Sequence, residues 1–109
     1  MAYDERLAER VRKSLARRSG ISEKKMFGGL CFLANGHMCC GVVGEDLVVR
    51  VGPKAYEASL KKTGARPMDF TGRPLQGLVY VGKRGCGSEQ ALREWVLRGL
   101  EHARSLPPK

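Results

Sequence analysis

Near the start of the chain, Leu7, Val11 and Leu15 recur every four residues with Ala8 beside them, while Arg6, Arg10, Lys13 and Arg17 lie elsewhere around the turn. That period predicts an amphipathic helix over residues 4–18, with Gly20 suited to end it in the left-handed conformation. From Phe27 to Val51 the pattern reads as a strand meander. Asn35-Gly36 between two apolar runs is a strong hairpin signal, because both residues tolerate positive φ. Gly44-Glu45-Asp46 supplies the next turn and "LVVRV" the third strand. Gly52-Pro53 opens a short helix with Tyr56 and Leu60 on its inner stripe and Gly64 at its end. "PMDF" and "GLVYVG" read as two more strands, joined by a loop around Thr71-Gly72-Arg73-Pro74. Ser88 is placed to cap a final helix, with Glu89 in its first turn. Leu92, Trp95, Val96, Gly99 and Ala103 line one side of that helix, and Pro107-Pro108 closes the chain.

The resulting order is α-β-β-β-α-β-β-α. It predicts an α+β fold with a mostly antiparallel five-stranded sheet and helices packed mainly on one face. Residues 1–109 are expected to form a single domain. Period-two alternation puts Leu33, Met38, Cys40 and Val42 on one sheet face and Leu30, Phe32, Cys39 and Gly41 on the other. Three helices of this size cover one face well and the second poorly, so an exposed apolar face, and with it a homodimer or a partner, is expected. The alternative is that residues 64–77 fold over that face.

Residues 26–44, "MFGGLCFLANGHMCCGVVG", carry no formal charge in a chain otherwise dense in lysine and arginine. Asn35, Gly36 and His37 at the centre of the stretch argue against a membrane helix. Met-Phe-Gly-Gly lacks the later glycine and the lysine-hydroxyl pair of a phosphate loop, and its glycines precede a strand; Gly28-Gly29 more naturally lets the chain enter the sheet with a bulge or close packing. His37 and Cys39 share one strand face while Cys40 points to the other, which is too few ligands for a structural metal site. No metal or other cofactor is expected. Neither His37 nor His102 stands in a pattern that marks a catalytic base, and no nucleophile elbow occurs. His102 reads as a favourable charge at a helix C-terminus, and Trp95 as core.

A two-residue turn at Asn35-Gly36 would pair Ala34 with His37, Leu33 with Met38, Phe32 with Cys39 and Cys31 with Cys40. Cys31 and Cys40 would then face each other at a non-hydrogen-bonded position, about 4.5 Å apart at Cα. That is the short end of disulfide geometry, so the two form a candidate cross-strand thiol pair, expected to be reduced in a cytoplasmic protein. The N-terminus is charged from its fourth residue, has no secretory signal pattern, and supports cytoplasmic localisation.

The formal charge of +9 and pI near 9.8 favour anionic partners. Candidate contacts to nucleic acid or to an acidic partner are Arg17, Arg18, Lys24, Lys25, Lys61, Lys62, Arg73, Lys83 and Arg84. Aromatic residues for base stacking are scarce, which disfavours single-strand recognition.

The segments "KKMFGGLCFLANGHMCCGV", "DLVVRVG" with "AYEA", "ARPMDFTGRPLQGLVYV" and "WVLRGLEHARSLPPK" together resemble the N-terminal domain of the TfoX/Sxy family of bacterial competence (DNA transformation) regulators. The most specific part is Met-Phe-Gly-Gly followed by the Asn-Gly hairpin, and the resemblance runs from about Tyr3 to Lys109. It implies an α/β domain with an antiparallel sheet and no catalytic residue. It also implies work alongside transcription machinery, the cyclic-AMP receptor protein among the partners. Longer members continue into a helical domain resembling DNA-binding helix-hairpin-helix modules; this sequence stops at Lys109, as expected of a stand-alone N-terminal domain. The expected function is therefore a non-enzymatic regulatory protein-interaction domain. Weak non-specific nucleic-acid binding through the basic surface is the alternative, and a small-molecule enzyme the third reading.

Overall fold

The computed structural model describes residues 3–26, 28–69 and 74–107. The elements are α1 (Glu5–Leu15), β1 (Ile21–Met26), β2 (Gly29–Ala34), β3 (His37–Val43), β4 (Asp46–Arg50), α2 (Tyr56–Leu60), β5 (Ala65–Asp69), β6 (Pro74–Val81), α3 (Lys83–Cys86) and α4 (Glu89–Arg104). One antiparallel sheet of six strands has the order β1-β2-β3-β4-β6-β5. The α+β class and the antiparallel sheet are as expected, but the strand count is six. The added strand is β1, and α3 adds a short helix before the last one.

Local chemistry sets most boundaries. Asp4 caps α1, its carboxylate accepting from the backbone N–H of Arg6 and Leu7 at 2.9 and 3.2 Å. Ser88 caps α4 in the same way, accepting from Ala91 N–H at 3.1 Å. Asn35 and Gly36 have φ of 52° and 87°, the pair of positive values that a two-residue hairpin turn requires. Gly20 is left-handed as expected, but α1 has already ended at Leu15 and Gly20 leads directly into β1.

The helices share one face of the sheet. Leu7, Ala8, Val11 and Leu15 of α1, Tyr56 of α2, Cys86 of α3 and Leu92, Trp95, Val96, Leu100 and Ala103 of α4 join Leu30, Phe32, Ala34, Cys40, Val42, Leu47, Val49, Val79 and Val81 in one buried cluster. Each fully buried aliphatic side chain contributes about 1.5–3 kcal/mol of transfer free energy, so α4, with the longest buried stripe, is the principal cover. Trp95 is core as expected, and its indole N–H donates to Gly85 O at 3.1 Å.

The second face differs from the expectation. Cys31, Met38, Val48 and Met68 form a smaller cluster there, with Met26, Val43, Leu78 and Tyr80 around it. Cys31, Val48 and Met68 have no exposed surface. The centre of this face is therefore closed, and its remaining apolar residues, Met26, Val43, Leu78 and Tyr80, are partly exposed.

A β-bulge explains why Cys40, Val42 and Gly41 exchange faces relative to the expectation, while Leu30, Phe32, Cys39 and Met38 keep theirs. Phe32 pairs with Cys40 but Leu33 with Met38, leaving Cys39 as the extra residue. Beyond it the alternation is reset, so Cys40 and Val42 turn to the helices together with Leu30 and Phe32. Gly99 of α4 sits directly on the bulge. A Cβ at residue 99 would overlap the carbonyl oxygen of Cys39 and lie 2.9 Å from its carbonyl carbon.

Candidate interaction surface

The bulge also separates the proposed thiol pair. Cys31 stands opposite Gly41 and belongs to the second-face cluster, whereas Cys40 belongs to the helix-side cluster. The two thiols thus point to opposite faces and do not form a cross-strand pair. Cys40 instead lies beside Cys39, with the sulfurs 3.8 Å apart. All four cysteines are free and buried. Burial pushes Cys31 up to about 11, with Cys39 adding to it, and raises Cys86 as well. The contact with Cys39, then burial, holds Cys40 well above the usual thiol range. These three thiols stay protonated at neutral pH, a poor state for nucleophilic chemistry.

The imidazoles have structural contacts. His37 Nε2 lies 2.6 Å from Pro107 O, tying the end of the chain to the hairpin. The His102 ring covers Gly52, where a Cβ would lie 2.5 Å from Nδ1. Burial, then Arg50 and His37, lowers the His102 pKa from 6.5. That direction disfavours the charged form that a place in the last turn of α4 would favour. Among the described residues, no three His, Cys, Asp or Glu side chains are grouped to hold a metal ion, and no helix is long and apolar enough to cross a membrane.

The basic candidates divide between separate regions. Arg17 and Arg18 follow the end of α1 and are exposed. Lys24 and Lys25 are exposed on the edge strand β1, where Lys24 pairs with Cys31 and Lys25 with Leu30. Directly paired residues share a face, so Lys25 emerges on the helix side and Lys24 on the other. Lys61 and Lys62 follow α2, while Lys83 and Arg84 lie in α3. Backbone packing brings these two segments together: Gly82 N–H donates to Gly64 O at 2.9 Å, and a Cβ at Gly64 would lie 2.5 Å from Gly85 N. Arg73 lies outside the described residues.

Ion pairs account for several of the remaining charges. Arg12 makes a bidentate contact with Glu23, at 2.7 and 2.9 Å, and a second contact with Glu9. The hydrogen bonds from Arg12 lower the Glu23 pKa and tie α1 to β1. Arg66 pairs with Asp46 and lies over the Tyr80 ring, 4.9 Å from its centroid. Arg10 reaches the carbonyls of Cys86, Gly87 and Ser88 at 3.0–3.3 Å and pairs with Glu89 at 3.7 Å.

Two further arginines join Arg17 and Arg18 on the surface. A hollow of about 530 Å³ is lined by Lys13, Arg17, Arg18 and Arg93, and a neighbouring one of about 460 Å³ by Arg18, Leu97, Leu100 and Arg104. The doublets in the sequence did not lead to Arg93 and Arg104, because each stands alone. Their signal was helical spacing: residues 93, 97, 100 and 104 form one stripe of α4.

Comparison with curated proteins and with solved structures finds no match for the chain. Residues 13–103 match the family described as the TfoX N-terminal domain, from within α1 to the last turn of α4. That match takes in all six strands, the Asn-Gly hairpin and the helix side of the core, and the chain belongs to the TfoX N-terminal domain family.

Proposed function

We propose that this domain is a non-enzymatic regulatory interaction module that works in the cytoplasm alongside transcription machinery, with the cyclic-AMP receptor protein as the first partner to test. The observation that carries the reading is the distribution of chemistry over the fold. All four thiols are buried, three of them with raised pKa values, and both imidazoles lie against backbone. The groups left facing solvent are chiefly cations such as Arg17, Arg18, Lys61 and Lys62. Such a surface suits recognition of an acidic partner more than bond-making.

Weak, non-specific nucleic-acid binding is the second reading, favoured by the +9 charge. It would have an affinity of about 10⁻⁴–10⁻⁶ M at physiological salt and fall steeply as salt rises. Reconstitution separates the two. Purified domain is mixed with cyclic-AMP receptor protein, RNA polymerase and a competence-type promoter, and co-elution and transcript yield are measured. Co-elution with a protein component and an altered transcript level are expected. Absence of both would overturn the proposal, as would nanomolar, sequence-selective duplex binding by the domain alone.

A further inference from the structure

The two basic hollows share Arg18 and follow one stripe of α4, residues 93, 97, 100 and 104, with the end of α1 and the residues after it beside the first; together they are treated as one groove. Lys13, Arg17, Arg18, Arg93 and Arg104 line it, and among the described residues none of the five is in an ion pair with a carboxylate. The acidic residues of the groove are Glu89 and Glu101, and Glu89 is already engaged by Arg10. Leu97 is half-buried at the groove and Leu100 lies beneath it.

We propose that this groove is the docking site for an acidic amphipathic helix of a partner protein, its carboxylates on the arginines and an aliphatic side chain against Leu97. The inference rests on the interaction-module reading only for the partner being a protein. Three features favour a peptide over a nucleic-acid backbone. An apolar floor between cations suits an aliphatic anchor and offers nothing to a phosphate. No aromatic residue lines either hollow to stack a base. Glu89 and Glu101 also stand about 18 Å apart along α4, one in each hollow. A duplex backbone, with a charge about every 3.4 Å of axis on each strand, would be forced against them, whereas a peptide can place neutral residues there. Helix-in-groove docking of this kind is read as spaced apolar anchors with flanking charge.

The test is fluorescence anisotropy with the whole chain and a labelled peptide of about four helical turns, rich in glutamate with leucines at helical spacing. Arg17→Glu with Arg93→Glu should weaken binding at least about tenfold, whereas Lys61→Glu with Lys62→Glu, the same change in net charge elsewhere, should leave it within about twofold. All four positions are exposed, and Arg18→Glu with Arg104→Glu provides a second pair for the same groove. Replacing the peptide's leucines by serine should weaken binding several-fold.

The inference is overturned if the wild-type chain does not bind the peptide, if both charge-reversed forms weaken equally, or if the serine peptide binds as well. A short duplex bound more tightly than the peptide, and released by the groove variant alone, would assign the groove to nucleic acid instead. If the transcription complex still captures the groove variant, the groove assignment falls and the interaction-module reading stands. If the peptide binds as described but no transcription component is captured by wild type, the groove assignment stands and only the role alongside transcription machinery falls.

Discussion

Gly99→Ala tests the contact between α4 and the β3 bulge. In an exposed helix interior this change stabilises by about 0.8–1.0 kcal/mol, because alanine loses less backbone entropy than glycine. Here the added Cβ meets backbone: the Cys39 carbonyl oxygen overlaps it, the carbonyl carbon is at 2.9 Å and Val49 Cγ1 at 3.3 Å. Ordinary carbon contacts need about 3.5–4.0 Å, so α4 must withdraw or the bulge must rearrange. Overpacking of this kind costs about 1–3 kcal/mol. The upper end applies, because withdrawal also loosens Leu92, Trp95, Val96, Leu100 and Ala103. Setting about 3 against about 1 kcal/mol leaves a net loss of about 2 kcal/mol, roughly 8–16 °C in melting temperature for a domain of this size. Guanidinium unfolding followed by the fluorescence of Trp95, the single tryptophan, should show a lower midpoint at unchanged slope. A rise of about 1 kcal/mol would refute the close approach of helix and bulge.

Gly36→Val should destabilise by about 1–2 kcal/mol or more, since φ of 87° is costly for any L side chain and worst for a β-branched one; an unchanged thermal midpoint would reject the turn. Mild oxidation should not yield a Cys31–Cys40 link as the dominant product, and peptide mapping that found one would contradict the register through the bulge. Glu23→Gln should cost about 0.2–1 kcal/mol near neutrality, the range of solvent-exposed ion pairs. Because Arg12 lowers the folded pKa of Glu23, this stabilisation is present above the ordinary carboxylate pKa and disappears as pH falls through the folded value. Melting curves of wild type and E23Q should therefore converge in acid, and a constant gap at every pH would count against the Arg12–Glu23 link.

The parts of the fold legible in the sequence are those with a local chemical signature. Asn35-Gly36 must turn, Ser88 must cap, and the α4 stripe has one periodicity that fits a helix. β1 has no such signature. Its four central residues, Ser22 to Lys25, are all exposed, so neither face shows alternation, and the strand exists through its backbone pairing with β2. The bulge escaped for the opposite reason: "MCCGV" is apolar throughout, so no polar residue marks where the alternation slips. Which surface cations gather into a groove depends on how α1 lies along α4, a long-range arrangement that neighbouring residues do not encode.

The Arg10 clamp has a consequence for how the domain is made. Its guanidinium joins carbonyls 76 to 78 residues further along the chain, and the buried side of α1 shares its cluster with α4. During synthesis the β2–β3 hairpin and β4 can pair soon after they emerge, since each follows its neighbour directly. Helix α1, although made before the sheet, must wait for α4. At a translation rate of about 5–20 residues per second, that interval is roughly 4–16 s. Throughout it, Leu7, Val11 and Leu15 lack their partner on α4, and the nascent chain offers an apolar helix to chaperones until α4 arrives.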